Sequence, residues 1–74
     1  MNDVREKLEA RATLALCLMR LRGALRAMEN AAADARRAKD TNLATIIENR
    51  VGEVEQAHRA AEEALRELYE EEEL

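Results

Sequence analysis

Few side chains in this chain could carry covalent or acid–base chemistry, and none is spaced for it. His58 is the single histidine, Cys17 the single cysteine, and serine is absent. A nucleophile needs a base within hydrogen-bond reach, and phosphate transfer needs a Gly-rich loop. Neither pattern is present, and the carboxylates are spread along what reads as a solvated helix face. One cysteine excludes an internal disulfide, and no Cys/His cluster exists for zinc. Between Leu16 and Leu18, Cys17 reads as a small buried hydrophobe. His58, on an apolar seam, reads as a partly buried core residue with at most a modest response to pH. The expectation is a chain that is not an enzyme and takes no cofactor and no metal.

The residues that stand out are apolar. Leu14-Ala15-Leu16-Cys17-Leu18-Met19 is the most apolar stretch, and at about 100° per residue six consecutive positions cover every side of a helix. One neighbouring helix cannot shield them all. The chain has 74 residues with no Pro, Trp or Phe, and is rich in Ala, Leu, Glu and Arg, the composition of long helices and coiled coils. The expected fold is all-α: an antiparallel two-helix hairpin, coiled-coil-like, dimerising into a four-helix bundle. A single seam between two helices offsets too little of the entropy of ordering such a chain, so self-association is expected.

Asp3-x-x-Glu6 has the form of a capping box, which starts helix one at about residue 3 and carries it to about 38. Its seam is Leu14, Leu18, Leu21, Leu25, Met28, Ala32 and Ala35, at alternating steps of four and three, with Cys17, Ala24 and Ala31 widening one flank. Gly23 interrupts the pattern and marks a possible close backbone approach. Lys39-Asp40-Thr41-Asn42 reads as a tight turn at 39–42. Arg36, Arg37 and Lys39 suit a helix C-terminus, and Asp40, Thr41 or Asn42 suits an N-cap. The competing reading, one continuous helix, is disfavoured because the heptad register slips by five residues across the gap. Helix two, about 43–70, has its seam at Ile47, Val51, Val54, His58, Ala61, Leu65 and Leu68, with Leu43, Ile46, Ala57 and Ala64 beside it. Folded back on helix one, large meets small: Leu21 near Ala61, Leu18 near Ala64 and Leu65, Leu25 near Ala57 and His58, Met28 near Val54, Ala35 near Ile47. The hairpin core is therefore expected at Leu14, Leu18, Leu21, Leu25, Met28, Ile47, Val51, Val54, Ala61, Leu65 and Leu68, in a single domain spanning 1–74.

Charge divides at the same boundary. Residues 1–39 hold nine basic and five acidic side chains, and residues 40–74 hold three and eleven, giving +4 and −8 and the net −4 of the whole. Antiparallel pairing brings Arg5, Lys7 and Arg11 toward Glu67 and Glu70–Glu73. Glu at a helix C-terminus opposes the dipole, so the acidic tail 70–74 is expected to fray. Arg50 falls within the apolar stripe; its stem is expected to lie along the seam beside Ala32, or its head to form an ion pair across a dimer interface.

The second face of helix one is the candidate site: Val4, Leu8, Ala12, Ala15, Leu16 and Met19, continued by Arg22 and Arg26. An apolar patch bordered by Arg, with Met in it, is the composition of a helix-mediated interface. The simplest use is a homodimer, with a foreign partner on an adjoining surface. The function class is thus a non-enzymatic protein–protein interaction module, a small dimeric helical regulator that inhibits, sequesters or chaperones a partner protein. Arg greatly exceeds Lys and Ala is abundant, a bias of GC-rich bacterial or phage genomes. In length and helical pattern the chain resembles type III secretion needle co-chaperones and phage-encoded antiactivators. It also resembles the plasmid-copy-control helical hairpins that bind paired RNA loops. Arg20, Arg22, Arg26, Arg36 and Arg37 favour that RNA-binding alternative, while the net charge of −4 and the lack of stacking aromatics weigh against it. A nucleic-acid mimic built on Glu62, Glu63, Glu67 and Glu70–Glu73 is a third reading of comparable weight. The chain start is charged and its apolar run is too short to span a bilayer, so neither signal peptide nor membrane association is expected, and the location is expected to be cytoplasmic.

Overall fold

The computed structural model describes the backbone of residues 2–73 and the side chains of residues 3–70. Two helices, α1 (Asn2–Arg37) and α2 (Thr41–Glu73), pack against each other as an all-α hairpin. The molecule is a rod of 57 × 15 × 13 Å. Its radius of gyration is 16.9 Å, against about 11 Å for a compact chain of this length.

The reversal between the helices is built from two hydrogen-bonded caps that share one residue. Lys39 adopts φ 64°, its N–H donates to Arg36 O at 2.9 Å, and the Asp40 N–H donates to Ala35 O at 2.9 Å. These are the two bonds of a Schellman C-cap, with Lys39 at the left-handed position that glycine usually fills. Asp40 then opens α2: its carboxylate accepts from the Leu43 N–H at 3.0 Å and its carbonyl from the Ala44 N–H at 3.1 Å. Of the three candidate N-caps, Asp40 is the one used, so α2 starts at Thr41 and the turn is shorter than 39–42. Arg36 and Arg37 occupy the last turn of α1, where the helix dipole favours cations. At the other end α1 begins at Asn2, which puts Asp3 inside the first turn rather than at the cap. The tail expected to fray at 70–74 is helical as far as Glu73, and Leu74 lies outside the described residues.

A non-glycine residue at φ 64° carries a steric cost that glycine does not. Lys39→Gly is therefore expected to stabilise the chain by roughly 0.5–1 kcal/mol, read as a higher melting temperature at fixed protein concentration. An unchanged or lower value would mean that the left-handed turn is not how this chain reverses.

The seam is held by half-buried residues. Leu14, Leu18, Leu21, Leu25 and Met28 on α1 and Ile47, Val51, Val54, His58, Ala61, Leu65 and Leu68 on α2 all have intermediate exposure. The fully buried residues among those described are three alanines, Ala32, Ala35 and Ala44, all near the turn. Side chains as small as these allow helix backbones to approach more closely than leucine or methionine does. Ala44, at 0% exposure the most deeply buried residue, lies one heptad step before Ile47 and was not among the expected seam residues. Arg36 Nη2 reaches both carboxylate oxygens of Glu48 at 2.6 Å across the two helices. The pair fits a register that sets Leu21 against Ala61, Met28 against Val54 and Ala35 against Ile47.

Several residues expected at the seam or on its flanks are exposed instead. Cys17 is exposed rather than buried, as are Ala24, Ala31, Leu43, Ile46 and Ala57. Arg50 does not lie along the seam beside Ala32; its guanidinium is exposed and bonds Glu53, one turn on in the same helix, at 3.0 Å. The common reason is geometric. A pair of helices shields one stripe of each, and a residue about 75° from the centre of that stripe stays in solvent. Gly23 meets no neighbouring chain, since nothing lies within 4 Å of where its Cβ would be.

Candidate protein-interaction surface

His58 is 15% exposed; its Nδ1 lies 3.2 Å from Glu62 Oε1 and its buried Nε2 has no hydrogen-bond partner. Among the described residues no group of three or more His, Cys, Asp or Glu could hold a metal ion, and no helix is long and apolar enough to cross a membrane. Tyr69 is exposed, with the Arg11 guanidinium 4.4 Å from its ring centre, a cation–π contact that ties the open ends of the two helices together.

What the fold presents is surface. Leu8, Ala12, Ala15, Leu16, Met19, Arg22 and Arg26 are all exposed on α1, Met19 at 67%; Leu8, Ala15 and Arg22 flank the seam, and Ala12, Leu16, Met19 and Arg26 lie farther round, away from α2. Steps of four and three from Leu8 through Ala12, Ala15, Met19, Arg22 and Arg26 make this a second stripe, parallel to the seam. Val4 is exposed as well, and its spacing from Lys7, Arg11 and Leu14 places it on the line of the hairpin seam rather than on the outer stripe. Midway along the stripe, Met19, Arg22, Gly23 and Arg26 line an open notch of about 230 Å³, where the missing side chain of Gly23 leaves a step beside two guanidinium groups. Leu43 and Ile46, near the turn on α2, form a second exposed apolar spot. The sequence places both at the seam's margin, and apolar character alone does not distinguish a covered margin from a bare one.

Arg5 pairs with Glu9 at 3.5 Å and Arg37 with Asp34, each within one helix, whereas the Arg36–Glu48 pair crosses between the helices. The expected pairing of the chain start with Glu71–Glu73 involves side chains outside the described residues. The hydrogen bond from Arg36, reinforced by its charge, lowers the Glu48 pKa, and the bond to Glu48 raises that of Arg36. A carboxylate whose folded pKa is depressed contributes stability above the ordinary glutamate range and loses it as pH falls through the lowered value. Both side chains are about half exposed, so the effect is small. Acid unfolding of Glu48→Gln is expected to show a slightly weaker dependence on pH just below that range. A dependence identical to that of the unmodified chain would show that the pair contributes nothing.

A pocket of about 370 Å³ opens between the helices near the turn, lined by Glu29, Ala32, Ala33, Arg36, Glu48 and Val51. Its mouth carries the Arg36–Glu48 pair, so its polar groups already satisfy each other. Comparison with protein-family models, with curated proteins and with solved structures returns no match, and the function has to be read from these surfaces alone.

Proposed function

We propose that this chain is a non-enzymatic protein-interaction module, a small helical hairpin that self-associates and holds a partner protein, as an inhibitor, sequestering protein or chaperone encoded by a bacterium or phage and working in the cytoplasm. One observation carries this reading. Among the described residues no large side chain is fully buried, while Leu8, Leu16, Met19, Leu43 and Ile46 are exposed. A chain whose apolar surface is incompletely covered by itself is suited to being covered by another. On the outer face of α1 the apolar residues are bordered by Arg22 and Arg26, which favours a partner helix with an apolar stripe and acidic neighbours.

Affinity capture from the native host, with the unmodified chain and Leu16→Glu/Met19→Glu compared side by side, tests this. The double variant removes apolar surface without touching the seam, so it is expected to keep its helicity and lose the captured protein. Equal capture by both forms would remove this face from consideration. A chain that remains a folded monomer at high micromolar concentration and captures nothing would remove the whole reading.

A further inference from the structure

The two sides of the hairpin, left and right of the seam, differ in kind. On the side of the Arg36–Glu48 pair, the residues next to the seam include Arg22 and Glu29 on α1 and Glu55 and Glu62 on α2. On the opposite side the equivalent positions are Cys17, Ala24 and Ala31 on α1, facing Ala64, Ala57 and Arg50 on α2, with exposed Leu43 and Ile46 continuing that side at the turn. Arg50 is already engaged with Glu53 at its outer edge, leaving the wall without an unbalanced charge.

We propose that this alanine-rich wall is the homodimer interface, covered in solution by the same wall of a second copy of the chain to complete a four-helix bundle. The proposal rests on the self-association read above and assigns it a surface. Three arguments select the occupant. The hairpin exposes 5858 Å², about 1,200 Å² more than a folded monomer of its mass is expected to expose. That excess is enough for the roughly 800 Å² that each partner contributes to a stable interface. An interface between identical copies must also be compatible with itself, because each patch meets its own image. The alanine-rich wall comes close to that condition, since its one cation, Arg50, is already paired with Glu53. The outer face of α1 is less suited to meeting its own image, because it carries Arg22 and Arg26, neither of which has an ion-pair partner among the described residues. Finally, Ala at most wall positions lets helix axes approach closely, so Leu43 and Ile46 can be buried without long side chains propping the hairpins apart.

Cys17 reports on this surface directly, because it is exposed in the single hairpin, is the only thiol, and lies on the proposed interface. The mass in sedimentation and the rate of Cys17 modification by a soluble disulfide reagent are measured on the unmodified chain over the same concentration series. The expected result is a transition from 8.4 kDa to twice that mass, with labelling slowing at least tenfold over the same range. A dimer whose Cys17 labels as fast as in the dilute chain overturns the assigned wall while leaving self-association intact. A chain that stays at 8.4 kDa overturns both. Ala24→Arg/Ala57→Arg is expected to be a monomer and Leu16→Glu a dimer; the reverse result also overturns the assignment. Were the double-Arg variant unfolded, the thiol measurement on the unmodified chain still decides.

Discussion

Ala44→Leu is expected to be the most damaging single apolar substitution in this chain. Ala44 has no exposed surface, and it sits four residues after the N-cap, where Ala32 and Ala35 of α1 are also buried. A side chain with no exposed surface gives an added isobutyl group no path to solvent. The added atoms must push the helices apart or displace the turn, and overpacking of this kind costs typically 1–3 kcal/mol. The backbone at the turn has little freedom to yield, since the Asp40 N–H is fixed to Ala35 O and its carbonyl to the Ala44 N–H. A loss of about 2–3 kcal/mol is therefore expected, a fall in melting temperature on the order of 10–20 °C for a domain of this size. Ala33→Leu, one residue from Ala32 but exposed, is the control and should change stability by less than about 0.5 kcal/mol. Equal effects of the two would show that the helices do not meet closely at the turn.

The same alanines explain what could be read in the sequence. The large seam residues of both helices follow steps of three and four, and a stripe of that period has to face whatever covers it. Leu14 through Met28 and Ile47 through Leu68 are legible for that reason. Ala44 is not, because an alanine before the first large residue of a stripe looks like any other alanine in a chain rich in them. The turn was legible as a place and less so as a geometry. Asp40, Thr41 and Asn42 all have the chemistry of an N-cap, and the choice fell to Asp40 because its N–H was already fixed by the end of α1. The flanks are less legible. Apolar character or helical angle points Cys17, Ala24, Leu43, Ile46, Ala57 and Arg50 to the seam's margins, but two helices alone bury one narrow stripe of each, and all six are exposed. That excess of apolar margin over what the hairpin covers is the same quantity that motivates the second copy. The outer face of α1 was legible because Leu16 and Met19 cannot share a side with Leu14 and Leu18.

His58→Leu is expected to stabilise the chain. The imidazole occupies a seam position next to Leu25 in this register, it is 15% exposed, and its Nε2 is buried with no hydrogen-bond partner. Leaving such a nitrogen unsatisfied costs about 1–3 kcal/mol, because it gives up water without gaining a replacement. What the ring retains is the contact of Nδ1 with Glu62, whose side chain is about half exposed. An ion pair of that kind contributes at most about 1 kcal/mol, and only when the imidazole is protonated. Leucine is close to histidine in size, places apolar atoms against apolar neighbours and removes the unsatisfied nitrogen. The net gain is expected near 1–2 kcal/mol, a rise of roughly 5–10 °C in melting temperature at fixed protein concentration. His58→Gln separates the two contributions, since it removes the ring and still buries polar atoms, and it should give no such gain. If leucine and glutamine prove equally neutral, Nε2 has a partner in solution and the seam at His58 is wet. If leucine alone stabilises, the seam is dry at its centre, and the apolar stripe shared by α1 and α2 is continuous from Leu14 to Ala35.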